Sequence, residues 1–181
     1  MPPVRSAPVL RTERLVLEAH RTDDLADCTA MWSDPQVVRY VGGTPAGAEE
    51  VWARMLRYAG LWAVLGYGFW AVREKDTGRF VGEVGLADFR RDLTPPLGPV
   101  PEVGWALAPW AHGQGLATEA VRAALGWGDE ALEAPATACL IDPHNAASIR
   151  VAEKCGFRLR TEALYRGHAT LVFGRMPSRG D

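Results

Sequence analysis

The 181-residue sequence has no uninterrupted apolar run near the ~18 residues that a membrane helix needs. Its first residues, MPPVRSAPVLRTERL, lack the apolar stretch of a secretory signal. A membrane partner is therefore not expected. Excess charge of one sign is missing too: Lys+Arg 20 against Asp+Glu 22 leave a net charge of −2, with no basic or acidic block. That removes the electrostatic footprint of a nucleic-acid binder. Cys28, Cys139 and Cys155 are far apart, odd in number and without zinc-finger or CxxC spacing. They read as reduced thiols of a cytoplasmic protein. No His/Asp/Glu grouping has metal-ligand spacing, so no metal is expected. No Gly-x-Ser-x-Gly elbow exists for a hydrolase. No lysine precedes Thr118, so the glycine loop before it is not a P-loop.

What is present is ordinary globular material, 48% hydrophobic and 23% charged, enough for one domain with a real core. Residues 1–12 hold three prolines and are expected to form a loose arm; the domain should run over 13–176, with a frayed tail at 177–181. Alternation predicts a strand at 14–20. Thr22-Asp23-Asp24 caps a helix carrying Leu25, Cys28 and Trp32, which Ser33-Asp34-Pro35 ends. A short helical turn at 36–40 follows. Thr44 as N-cap with Pro45 behind it starts a helix over 46–64, where Val51, Met55, Tyr58, Leu61 and Trp62 share one face. Residues 69–74 and 79–89 form a hairpin around Asp76-Thr77-Gly78, with Gly82 and Gly85 hinting at a bulge or close packing. Four prolines make 90–101 a loop. A strand at 137–141, a helix at 146–154 stopped by Gly156, and a hairpin of 158–165 with 170–175 complete the chain.

The centre of the sequence is EVGWALAPWAHGQGLATEAVRAALGWGDEAL, residues 102–132. An apolar strand turns at Pro109, passes His112-Gly113-Gln114-Gly115 and becomes an amphipathic helix. A strand, a glycine loop and a helix start aim unpaired N–H groups at one spot, backed by the positive end of the helix dipole. Such a spot holds an anion, phosphate above all.

The order of elements, with HGQGLATEA and thirty residues later NAASIRVAEKCGF, resembles the GNAT superfamily of acyl-CoA-dependent N-acetyltransferases. The likeness is to the branch that acetylates ribosomal-protein N-termini and its small-molecule relatives. It spans about residues 12–174. It implies an α+β fold: a mixed, mostly antiparallel sheet of about seven strands, splayed at the central strand, with about four helices. It implies acetyl-CoA as co-substrate. The pyrophosphate falls to the backbone of His112, Gly113, Gln114, Gly115, Leu116, Ala117 and Thr118, with His112 where relatives carry Gln or Arg. The pantetheine arm falls to Ala106, Leu107 and Ala108, and the coenzyme's amide region to Asn145. Ser148 is then the proton donor near the thioester sulfur. Many relatives carry a tyrosine acid in this helix; here its place is held by Ala152. Asn145 and Ser148 also suit helix capping.

The implied reaction is direct attack of a neutral amine on the thioester in a ternary complex. The enzyme holds the reactants together, removes a proton and stabilises an oxyanion, for which a backbone N–H near Leu107 is the candidate. Glu102 ranks first as base, acting through a water, although a salt-bridge role suits it as well; Glu83, Asp88 and His20 are further candidates. His144 and His168 read as surface turn residues. Cys139 and Cys155 read as small buried residues rather than nucleophiles. Trp32, Tyr40, Trp62, Tyr67, Trp70, Phe89, Trp105 and Tyr165 divide between core and cleft. The acceptor is a peptide or small-molecule primary amine, and the protein a monomer or homodimer. A domain that binds coenzyme A as a sensor or scaffold, without catalysis, is the alternative.

Overall fold

The computed structural model describes residues 6–132 and 136–177. Among these residues, nine strands form a single sheet in the order β1-β2-β3-β4-β6-β7-β9-β8-β5. They are β1 Leu10–Arg11, β2 Leu15–Glu18, β3 Phe69–Glu74, β4 Phe80–Ala87, β5 Leu93–Thr94, β6 Glu102–Leu107, β7 Thr137–Ile141, β8 Arg158–Tyr165 and β9 His168–Arg175. The helices are α1 Leu25–Trp32, α2 Pro35–Val38, α3 Ala48–Leu65, α4 Leu116–Ala131 and α5 Ala146–Lys154. This is the expected mixed α+β fold, with two extra short strands and one more helix. Among the described residues, no helix is long and apolar enough to cross a membrane.

Every neighbouring pair is antiparallel except β6–β7, which is parallel and holds one register pair, Glu102 with Ala138. Beyond it the two strands part. On the other side of β6, β4 carries a bulge. Val81 is an extra residue there, so that Gly82 faces Val72 while Phe80 faces Arg73. A Cβ on Gly82 would lie 2.2 Å from the Ala106 carbonyl oxygen, and one on Gly85 would lie 2.4 Å from Phe69 Cα. Both glycines therefore mark the close packing and bulge that the sequence suggests.

Alternation along the strands splits the core in two. Val84, Leu86, Val103 and Leu107 pack with Leu116, Ala120, Val121 and Leu125 of α4. Cys28, Met31 and Trp32 of α1 and Val51 and Met55 of α3 pack with Ala71 and Phe80 on the other face. Trp62, Trp70 and the partly buried Trp127 meet edge-on, with centroids 4.7–5.2 Å apart, so Trp62 and Trp70 are core and not cleft wall.

Three local expectations change. Residues 6–12 are no loose arm: Ala7 is buried, Trp70 Nε1 donates to the Pro8 carbonyl at 2.8 Å, and Leu10–Arg11 pairs with Val16–Leu17. The remainder of the arm and the tail from residue 178 lie outside the described residues. α3 is capped by Gly47, whose N–H donates to Glu50 at 3.0 Å; Thr44 and Pro45 precede the helix. The proline-rich loop contains β5, whose Leu93 and Thr94 pair with Tyr165 and Leu164.

Candidate functional site

The glycine loop has the conformation its residues allow. A 3-10 turn at Pro109–Ala111 leads from β6 into His112, and Gly113 and Gly115 both take positive φ, +74° and +79°. Gly115 is the N-cap of α4 and offers no side chain to cap it. Among the described residues, the N–H groups of residues 113–118 have no protein acceptor. Six consecutive unpaired donors at a helix start make an anion cradle.

Side chains brace this cradle from behind. Arg14 Nη1 donates to the Gln114 carbonyl at 2.9 Å, and Gln114 Nε2 donates to the Trp110 carbonyl at 2.7 Å. Glu119, one turn into α4, accepts from Thr12 Oγ1 at 2.6 Å and from Arg14 N and Nε at 2.8 and 2.7 Å. Its slight burial acts upward, but these donors hold its carboxyl below the ordinary value. His112 Nε2 donates to the Leu107 carbonyl at 2.8 Å. The departure from Gln or Arg at this position thus serves the end of β6.

The splay offers a second set of free groups. Ala108 N donates to the Val81 carbonyl, and Ala138 N to the Pro101 carbonyl. Alternation then turns the backbone of Ala106 toward β4 and that of Trp105 and Leu107 toward the gap. The open donors on this edge are the N–H groups of Trp105 and Leu107. Of the triplet expected from the sequence, Leu107 faces the gap, whereas Ala106 and Ala108 serve β4. The Trp105 ring packs on the α4 side and does not disclose the direction of its backbone.

The helix after β7, α5, packs on β7 and α4. Asn145 Oδ1 accepts from Ser148 N at 3.1 Å, so Asn145 caps the helix. The cap uses the backbone of Ser148. Its hydroxyl, on a half-buried residue, has no protein partner among the described residues.

Glu102 lies at the start of the splay and is nearly buried. Arg91 grips it with Nε at 2.7 Å and Nη2 at 2.9 Å, and also donates to the Tyr165 hydroxyl at 3.2 Å. Burial alone would lower the Arg91 value, yet Glu102 and Tyr165 raise it above the ordinary guanidinium range. Asp88 is held by Arg90 at 2.8 Å.

Glu83 is fully buried. It accepts from His20 Nε2 at 3.2 Å, Trp32 Nε1 at 3.0 Å and the Tyr58 hydroxyl at 3.2 Å. Burial pushes its carboxyl up, but His20, Trp32 and Arg54 together bring it below the ordinary value. The fold also brings a ligand atom from each of His20, Cys28 and Glu83 within 4.8 Å of one another, a grouping no sequence spacing discloses. Burial and the Glu83 charge drive the Cys28 thiol far up, so it stays protonated. This cluster ties α1 and α3 to the sheet. Cys139 and Cys155 are buried, and burial pushes both thiols up as well.

Comparison with known proteins agrees with this geometry. The acetyltransferase (GNAT) domain pattern matches residues 14–158. The uncharacterized protein YkkB of Bacillus subtilis (strain 168) is 34% identical over 151 residues, which cover 81% of this chain and 83% of YkkB. An acetyltransferase from Agrobacterium tumefaciens str. C58 superposes with a TM-score of 0.82 at 29% identity, covering 95% of this chain and 96% of its own. A spermidine N-acetyltransferase from Vibrio cholerae, solved with CoA and spermine, shares the fold at 16% identity, with a TM-score of 0.73 and coverage of 92% and 98%.

Proposed function

The chain belongs to the GNAT acetyltransferase family, and on that premise we propose that it transfers the acetyl group of acetyl-CoA to a primary amine in a ternary complex. The observation that carries this reading is the run of unpartnered N–H groups at 113–118, beside a strand edge that is also unpaired. A pyrophosphate suits the first, and an extended amide-bearing arm suits the second.

In this reading the N–H groups of residues 113–118 hold the pyrophosphate, and those of Trp105 and Leu107 the pantetheine and the thioester carbonyl. The Leu107 N–H is the oxyanion donor: it sits on a rigid strand and points into the gap, so it needs no reorganisation. The Ser148 hydroxyl gives the leaving thiolate its hydrogen bond. Glu102 takes the proton of the ammonium through a water; Arg91 holds it in place. Glu83 is sealed and accepts three donors, so its part is to position α1 and α3. A cytoplasmic location is part of the same proposal.

Release of free thiol from acetyl-CoA across a panel of primary amines tests the reading. Amine-dependent release with the N-acetyl product found by mass is the expected result. Tight acetyl-CoA binding without release on any amine contradicts catalysis and favours a coenzyme-A-binding sensor.

A further inference from the structure

The face of the sheet that Glu102 and Ala106 share carries guanidiniums interleaved with aromatic rings. Arg54 lies 3.9 Å over the Trp32 ring and donates to the Tyr58 hydroxyl at 3.4 Å. Arg57, one turn along α3, lies 5.8 Å from the Tyr58 centroid and 5.2 Å from that of Phe89. Arg91 lies 4.7 Å from Phe89 and 5.1 Å from Tyr165. Arg166 lies 5.2 Å from Tyr165. The series runs Trp32, Arg54, Tyr58, Arg57, Phe89, Arg91, Tyr165, Arg166. One end meets β4, where Trp32 and Tyr58 hold Glu83, the strand partner of Ala106; toward the other, Arg91 joins Tyr165 to Glu102, where the splay begins.

Arginines outnumber carboxylates along this series. Glu102 is taken by Arg91, and Glu83 accepts from His20, Trp32 and Tyr58 and feels the Arg54 charge. Among the described residues, Arg54, Arg57 and Arg166 have no carboxylate within salt-bridge distance. Arg54 is half-buried and donates to one neutral hydroxyl at long range, leaving most of its planar fork free. An aliphatic primary amine arrives as a cation at neutral pH, and a face richer in guanidiniums than carboxylates disfavours a bare cation. Stacked guanidiniums with free N–H forks match a carboxylate in two parallel hydrogen bonds.

We infer that the acceptor is a free amino acid, an amine with its own carboxylate, anchored by Arg57 and Arg54 while the amine faces Glu102. This deepens the acetyltransferase reading and rests on it. A polyamine or an uncharged amine is the wrong partner for such a face.

The test compares α-amino acids with their carboxamides and with spermidine, using acetyl-CoA as donor, in the wild-type chain and in Arg57→Gln, Arg57→Lys and Arg54→Gln. The expected result is a preference of at least about tenfold in kcat/KM for the acid over its amide. In Arg57→Gln that gap closes through the acceptor KM, with the KM for acetyl-CoA unchanged; Arg57→Lys, which keeps the charge and loses the fork, falls between. Equal or better turnover of amides or spermidine by the wild type overturns the inference. So does an equal loss on acid and amide in the Arg57 and Arg54 variants, which marks a structural role. If no amine turns over, the transferase reading fails. Titration of N-acetyl amino acids into the protein saturated with coenzyme A then decides the carboxylate site alone: binding lost in Arg57→Gln supports it, and no binding to the wild type refutes it.

Discussion

Arg91 and Glu102 form a two-pronged pair, Nε to Oε2 at 2.7 Å and Nη2 to Oε1 at 2.9 Å, where β6 begins to part from β7. The pair ties the proline-rich loop to the central strand, and through Tyr165 to β8. It also holds a carboxylate where the splay begins. Glu102→Gln keeps the shape and loses the base. Its kcat should fall by about a hundredfold or more, with little change in the KM for acetyl-CoA. Steady-state kinetics checks this, and an unchanged kcat leaves Glu102 as a loop anchor only.

Ser148→Ala separates two roles that share one residue. The Asn145 cap uses the Ser148 N–H, which alanine keeps. Thermal stability should stay level while turnover falls about tenfold, the loss of one charge-assisted hydrogen bond. Asn145→Ala removes the cap itself and should cost about 1 kcal/mol of stability. Thermal melts beside kinetics test both.

Gly82→Ala should damage the splay directly. The added methyl would meet backbone, Ala106 O at 2.2 Å and Leu107 Cα at 2.7 Å, and neither can rotate away. Overpacking of this kind costs about 1–3 kcal/mol. Because the displaced segment carries the free Leu107 N–H, acetyl-CoA affinity should fall with the melting temperature. Gly113→Ala is the contrast. Its φ is +74° with nothing within 4 Å, so it should bring only the strain of a left-handed residue, about 1–2 kcal/mol. Titration of both variants with acetyl-CoA checks the difference.

Glu83 makes stability depend on pH. Its folded value lies below the 4.5 of a free carboxyl, because His20, Trp32 and Arg54 outweigh the burial. The stabilisation is therefore fully present above about 4.5 and is lost as pH falls through the folded value. The wild-type melting temperature should drop in that acid range, and Glu83→Gln should show a shallower drop. Glu83→Ala strands the Trp32 and Tyr58 donors and should cost about 3 kcal/mol or more. Melts from neutral pH to pH ~3 measure it.

Local rules made much of the fold legible. Gly66 and Gly156 end helices in positive φ, the 74–79 turn closes a hairpin, and the glycine loop opens α4. What stayed hidden depends on distant partners. β5 pairs with a strand some seventy residues on, and its prolines argue for a loop until that partner is known. Thr44-Pro45 looked like a helix start, but the Glu50 carboxylate reaching Gly47 won. The resemblance implies a free edge over Ala106 to Ala108, and apolar side chains do not disclose which of these backbone N–H groups turns away from β4. The polar set of His20, Trp32, Tyr58 and Glu83 and the Arg–aromatic series each draw on three or more elements, and no sequence window contains them.

The central claim is that the loop after β6 holds the pyrophosphate of acetyl-CoA, and calorimetric titration tests it most directly. Wild-type protein should bind acetyl-CoA saturably with one site per chain and show no comparable heat with ATP. Gly115→Trp, which places a bulky residue at φ +79° within the cradle, should abolish that binding while the fold persists by circular dichroism. Absence of acetyl-CoA binding in the wild type, or undiminished affinity in a folded Gly115→Trp, would contradict the account.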